Sequence, residues 1–136
     1  MIKVTVLYNL PPGTDEEEFL RWRTTTHHTA NIARPGQIRT DFYKIVGTPL
    51  VGPERPASDT APYRFVTESH YDDLDAFRAA WEDPAEQARL VPAVAKITDA
   101  LFLLSEEVQT YVRPEADERT ADAGAAPSTT EGRDIR

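Results

Sequence analysis

Apolar and polar positions alternate strictly over residues 2–9, with Ile2, Val4, Val6 and Tyr8 in one row and Lys3, Thr5, Leu7 and Asn9 in the other. A period of two rich in β-branched residues predicts a half-buried strand. Pro11, Pro12 and Gly13 stop it. The period then lengthens. Phe19, Trp22, Thr26, Ala30 and Ala33 recur at spacings of three and four, which predicts one amphipathic helix with an aromatic stripe. Thr14 and Glu17 form a capping box, and Asp15, Glu16, Glu17 and Glu18 suit the positive end of its dipole. Pro35-Gly36 closes the helix, predicted to begin near residue 15. Leu20 and His27 stand on one shoulder of the apolar face, and His28 points to solvent.

A second strand is predicted over residues 37–46, with both rows mixed. Pro49, Gly52, Pro53, Pro56 and Pro62 then punctuate a long loop over 47–62, either a lid or a tolerated insertion. A third strand is predicted over 63–71. Asp72 and Asp73 cap a helix that carries Leu74, Phe77, Ala80 and Trp81 on one face, and Asp83-Pro84 breaks it. A further helical piece is read through Leu90, Val91, Val94, Ile97 and Leu101, kinked or restarted at Pro92. Residues 107–113 read as a short last strand. From Pro114 to Arg136 the composition turns to Ala, Asp, Glu, Thr, Ser, Gly and Pro, so a disordered acidic tail is expected over 114–136.

Strand, helix, strand, strand, helix, strand is the order of the ferredoxin-like split βαβ arrangement, an α+β fold with a four-stranded antiparallel sheet and helices on one face. One domain over residues 1–113 follows. Its helix-facing rows should hold Ile2, Val4, Val6, Tyr8, Tyr63 and Phe65. The opposite face would carry Lys3, Thr5, Leu7, Arg64, Val66, Glu68, His70, Gln109 and Tyr111. That mixture is too polar for a core and too apolar for open water, so a second copy is the expected cover, giving a homodimer.

Charge narrows the partners. With 23 Asp and Glu against 15 Lys and Arg and no basic patch, neither nucleic acid nor an anionic membrane is an expected partner. The chain has no cysteine, which excludes disulfides and thiolate chemistry. The first ten residues lack the pattern of a signal peptide, and the longest apolar run, residues 100–104, is far too short to span a bilayer. A soluble, cytoplasmic protein is the resulting expectation.

The opening MIKVTVLYN, the acidic capped helix with a histidine near its end, and the stretch PGQIRTDFYKI together resemble the dimeric α+β barrel superfamily. Within it the chain is similar to EthD-type proteins and to the REDY-like (HapK-type) proteins of prodigiosin-like pigment pathways, over residues 1 to about 113. The resemblance implies a pocket between sheet and helices in each subunit. It also implies company among polyketide cyclases, lactone isomerases, cofactor-free monooxygenases, haem enzymes and members without known chemistry. Some cyclases carry a His-Pro-x-His stretch whose last histidine does acid–base work. Here the matching residues are Asp83, Pro84, Ala85 and Glu86, so Glu86 stands in the place of that histidine. This departure puts a copied mechanism in doubt, although a buried carboxylate of raised pKa can serve as a base.

Outside the resemblance, candidate chemistry is sparse. There is no glycine-rich phosphate loop and no triad spacing. His27 and His28 are adjacent, point about 100° apart on a helix and cannot chelate one ion as an i, i+4 pair does. No metal and no cofactor are expected. Tyr8, Trp22, Phe42, Tyr43, Phe65, Phe77 and Trp81 come from several elements. They form an aromatic core, a flat pocket for a planar ligand, or both. In the pocket reading His27 is the acid or base, and Asn9, at the end of the first strand, is an oxyanion donor. Tyr8, Trp22, Phe42, Tyr43, Phe65, His70, Trp81 and Glu86 would contact substrate. The expected activity is cyclisation, condensation or isomerisation of a polyketide-like or pyrrole-type aromatic intermediate of secondary metabolism. The alternatives are cofactor-free oxygenation and a non-catalytic metabolite-binding or scaffold dimer.

Overall fold

The computed structural model describes residues 1–115. Strand β1 (Ile2–Asn9) is followed by α1 (Glu16–Thr24), α2 (Thr26–Ile32), β2 (Gln37–Lys44), β3 (Phe65–Tyr71), α3 (Leu74–Trp81), α4 (Pro84–Val94) and β4 (Thr98–Glu106). All pairings are antiparallel, in the order β2-β3-β1-β4. This is the ferredoxin-like α+β arrangement that the hydrophobic pattern predicts.

Register fixes the faces. Ile2 pairs with Tyr71, Val4 with Ser69 and Tyr8 with Phe65, so the β-branched row of β1 and the aromatics of β3 share the helix side. Two core clusters form there. Ile2, Val4 and Tyr71 pack with Ala80 of α3, and Tyr8 and Phe65 pack with Phe19 of α1. Helices α1, α3 and α4 each start on an aspartate, whereas α2 starts after Thr25 with no side-chain cap. The Asp15 side chain accepts from Glu18 N, Asp73 from Ala76 N, and Asp83 from Ala85 N and Glu86 N. The capping residue of α1 is thus Asp15, one position after the threonine of the predicted box.

Three expectations are corrected. The single helix over residues 15–34 is two helices, broken at Thr25 with φ −120° and ψ −84°. Thr24, Thr25 and Thr26 are consecutive β-branched residues, and the hydroxyls of Thr24 and Thr25 turn back to the carbonyls of Leu20 and Arg21. Beyond that break the predicted stripe fails, and Thr26 and Ala30 are exposed. Secondly, Ile97 and Leu101 do not continue a helix: Ile97 follows α4, and Leu101 lies in β4. Thirdly, the last strand is Thr98–Glu106 and not residues 107–113, so Gln109 and Tyr111 are not part of the sheet face. The apolar run Leu101–Leu104 fits a strand or a helix equally, and pairing with β1 selects the strand. The tail expected over 114–136 lies, beyond Glu115, outside the described residues.

The face away from the helices has no layer of its own among the described residues. Lys3 lies beside His70 and Ser105, Thr5 beside Glu68 and Leu103, and Leu7 beside Val66 and Leu101. Lys3 Nζ and Glu68 form an ion pair at 3.2 Å, while Tyr43, Leu101 and Leu103 are exposed.

Candidate functional site

A cavity of about 80 Å³ opens between the helix side of the sheet and helices α1, α2 and α4. Val4, Val6, Thr67 and Ser69 form its floor; Phe19, Trp22, Arg23, His27 and Asn31 form one wall. Leu90, Ala93, Val94 and Ile97 form the other, with Tyr8, Arg34, Trp81 and Phe102 completing the rim. The break at Thr25 matters here, because it lets His27 fold back on the preceding turn. Its imidazole stacks on Trp22, with ring centroids 4.5 Å apart and planes 23° from parallel.

Burial, then the nearby Arg23 and Arg34, lowers the His27 pKa from 6.5 to about 4. The imidazole is therefore neutral at pH 7. The folded chain takes up this proton only near pH 4, whereas an unfolded chain takes it up near 6.5. The neutral imidazole's contribution to stability is thus complete above about pH 6.5 and is lost as pH falls to about 4.

Two arginines share the cavity but differ in their company. Arg34 faces Glu86, Nε to Oε1 at 3.6 Å, with both side chains almost wholly buried. Its guanidinium lies 5.4 Å from the Trp81 ring centre, and Trp81 Nε1 donates to the Tyr71 hydroxyl at 2.9 Å. Arg23 is buried without a carboxylate partner among the described residues. Its Nη2 donates to Thr67 Oγ1 at 3.3 Å, and its guanidinium lies 4.2 Å over the ring of Phe42. The Tyr8 hydroxyl is 3.5 Å from the same Thr67 oxygen, and burial raises its pKa, so it stays a neutral phenol.

Of the residues singled out by sequence, His27, Trp22, Tyr8 and Trp81 meet at this cavity. Phe65 and Phe42 lie beneath it, stacked on each other at 5.6 Å, and support the wall without lining it. Glu86 does not line the cavity either; it is the buried counter-ion of Arg34, with Arg89 at 3.7 Å on its other oxygen. Tyr43 and His70 belong to the opposite face, where His70 neighbours Lys3 and Arg39. Asn9 stands apart at the sheet end. Its Nδ2 donates to Pro62 O at 2.9 Å and Asp99 Oδ2 at 3.3 Å, and its Oδ1 accepts from Arg64 N at 2.8 Å. With its amide engaged in holding that end of the sheet together, Asn9 is not placed to serve a ligand beside His27.

Sequence reasoning missed Arg23, Arg34, Asn31, Thr67 and Ser69. One signal was present: Arg23 is four residues after Phe19 and next to Trp22, so the helical period already put it on the inner face. Among the described residues no group of three or more His, Asp or Glu is arranged to hold a metal ion.

A ferredoxin-like α+β domain with an aromatic-walled cavity between helices and sheet is the class that fold and site define. A family profile for the EthD domain matches residues 11–101, and the chain belongs to that family. No curated protein matches its sequence significantly. Solved structures match its fold. An ethyl tert-butyl ether D (EthD) family protein from Bacillus halodurans C-125 superposes with a TM-score of 0.64 at 22% identity, covering 79% of this chain and 99% of that one. HapK from Hahella chejuensis gives 0.59 at 19% identity, over 85% of this chain and 100% of that one. A dimeric ferredoxin-like protein from Thermobifida fusca gives 0.56 at 17% identity, over 78% and 90%. At these identities the likeness is one of fold. No helix among the described residues is long and apolar enough to cross a membrane.

Proposed function

We propose that this protein is a small-molecule enzyme that moves a proton on a flat, largely apolar intermediate of secondary metabolism, with His27 as the base. The observation that carries this reading is a neutral imidazole, stacked on Trp22 at the wall of an apolar cavity and flanked by two guanidiniums. Such an imidazole can accept a proton from an acidic C–H or O–H of a bound ring. The electron pair left behind moves onto a ligand oxygen, and a nearby guanidinium stabilises the resulting enolate or phenolate. The arginines that make His27 a weak base thereby favour the anion that its action creates. Return of the proton at another carbon is an isomerisation; attack of the enolate on a carbonyl is a condensation or cyclisation. At about 80 Å³ the enclosed space is roughly half of a cavity that holds one benzene, so it suits the edge or polar end of a small ring at its mouth and not a deeply inserted polycycle. Asn9 lies outside the cavity, so oxygenation with Asn9 as oxyanion donor has no support in this geometry.

The test is His27→Gln, assayed by mass spectrometry against planar phenolic and bipyrrole compounds. Turnover is expected to fall about 10²- to 10⁴-fold while ligand affinity changes little. Acid titration gives a second readout of the same variant: between pH 6.5 and 4 the wild type should lose stability relative to His27→Gln. Residual turnover in proportion to folded protein would make His27 a packing residue. Binding without any turnover would make the domain a metabolite carrier.

The working form is proposed to be a homodimer closed through the open sheet face. That face mixes Lys3, Thr5 and Glu68 with Leu7, Val66, Leu101 and Leu103, and the Thermobifida fusca relative is described as dimeric. Light scattering at micromolar concentration should return twice the mass of one chain, and a monomer there would overturn the dimer.

A further inference from the structure

We propose that the corner of the cavity formed by Arg23, Thr67, Tyr8 and His27 is a subsite for one oxyanion, and that the ligand is a planar aromatic acid whose carboxylate pairs with Arg23. This deepens the functional reading above and rests on its pocket. Nothing in the family or fold assignment specifies it; the geometry does.

The two arginines of the cavity are unequally compensated. Both arginines of the cavity are deeply placed, yet only Arg34 has a carboxylate, Glu86 at 3.6 Å. Arg23 is 4% exposed and has no carboxylate partner among the described residues. A guanidinium keeps its charge, and taking that charge out of water is costly unless an anion or several acceptors replace the water. The hydroxyl of Thr67 and the face of Phe42 replace part of it. Among the described residues its guanidinium donates to Thr67 and lies beside the Tyr8 hydroxyl, both uncharged, and the residue lines the cavity. A carboxylate entering there meets a fork of donors matched to its own two oxygens.

Charge and size then select the class of anion. One guanidinium is uncompensated, so a monoanion balances the site; a phosphate with close to two negative charges would not. The parallel pair of Trp22 and His27 forms a flat wall beside the subsite, which favours a planar ring over an aliphatic chain. About 80 Å³ is roughly half of a cavity that holds one benzene, so the enclosed part takes the acidic end of the ligand while its ring lies toward the opening, against the Trp22 and His27 wall. The chain as a whole carries a net charge of −8, which repels anions at long range. A preference for acids therefore has to arise locally, at Arg23.

Calorimetric titration with pyrrole-2-carboxylate and benzoate, each against its carboxamide, tests this on the whole protein. The acids should bind roughly ten- to a hundredfold tighter than the amides, the range for a hydrogen bond to a charged group. Arg23→Met should abolish that preference and Arg23→Lys retain part of it. Should Arg23→Met fail to fold, the wild-type comparison and the lysine variant still decide. A second readout is the His27 pKa by NMR. His27 faces Arg23 from α1, Arg34 after α2 and Tyr8 from the sheet; Lys96 lies over the Trp22 ring and Glu86 is paired with Arg34. A carboxylate on Arg23 should raise that pKa from about 4, and the amide should leave it in place. Equal binding of acid and amide with an unmoved His27 overturns the oxyanion subsite. If neutral planar compounds bind and these acids do not, the subsite falls and the pocket reading stands. If nothing binds, both fall.

Discussion

Phe65→Ala should unfold this domain or bring it to the edge of unfolding, with a loss of about 3–5 kcal/mol in urea or thermal denaturation. Phe65 is fully buried at the start of β3. Three rings surround it, with centroids at 5.7 Å for Tyr8, 5.4 Å for Phe19 and 5.6 Å for Phe42. These rings join β1, α1 and β2 to β3, so removing the central one leaves a void that no single neighbour can fill. Domains of this kind are stable by roughly 5–15 kcal/mol, so the loss is a large share of the total. Phe65→Leu keeps most of the volume and should cost clearly less. A loss below about 1 kcal/mol for the alanine variant would mean that the three remaining rings close up over the gap. Since Phe65 lies beneath the cavity, its loss should reduce binding only in proportion to unfolding.

Glu86→Ala is expected to be nearly as damaging for a different reason. The substitution removes little volume from the aromatic core but leaves Arg34, with its side chain 10% exposed, as a buried cation without its anion. Breaking such a pair typically costs about 3–5 kcal/mol, because the surviving charge keeps its desolvation penalty. The contact of Glu86 with the largely exposed Arg89 contributes little to this sum. Replacing both members together, as Arg34→Met with Glu86→Leu, should recover most of the loss. Urea denaturation of both single variants and the double variant checks the sign of the coupling. A Glu86→Ala variant within about 1 kcal/mol of wild type would show that water reaches Arg34 and that the pair is a surface contact.

The parts of the fold visible in the sequence are those where a period was long or a cap was chemical. Strand β1 was legible because Ile2, Val4, Val6 and Tyr8 alternate without exception, and α3 because Asp73 both caps it and precedes an apolar stripe. Strand β4 was not, because Leu101, Phe102, Leu103 and Leu104 are consecutive apolar residues with no period, and only the register with β1 resolves them. The cavity was half legible. His27, Trp22, Tyr8 and Trp81 announce themselves as aromatic or titratable. Arg23 does not, because an arginine in a helix reads as surface, and its burial depends on a sheet contributed by distant residues such as Phe42 and Thr67. Phe65 and Glu86 read as substrate contacts in the sequence, and the structure gives them places under and beside the cavity. Tyr43 and His70 were joined to the site by type and Asn9 by its place at the end of the first strand; the pleat of the sheet sends Tyr43 and His70 to the far side while Asn9 holds the strand end.

The stack of Trp22 on His27 also gives the protein an optical property. Trp22 and Trp81 are its only tryptophans, and both line the cavity that holds His27. Its tryptophan fluorescence is therefore emitted from the pocket, with one indole against a neutral imidazole and the other hydrogen-bonded to Tyr71. A charged imidazole quenches an indole that it touches, and a planar guest displaces water from both. Occupancy of the cavity and the protonation of His27 are thus written into the light of the unlabelled chain.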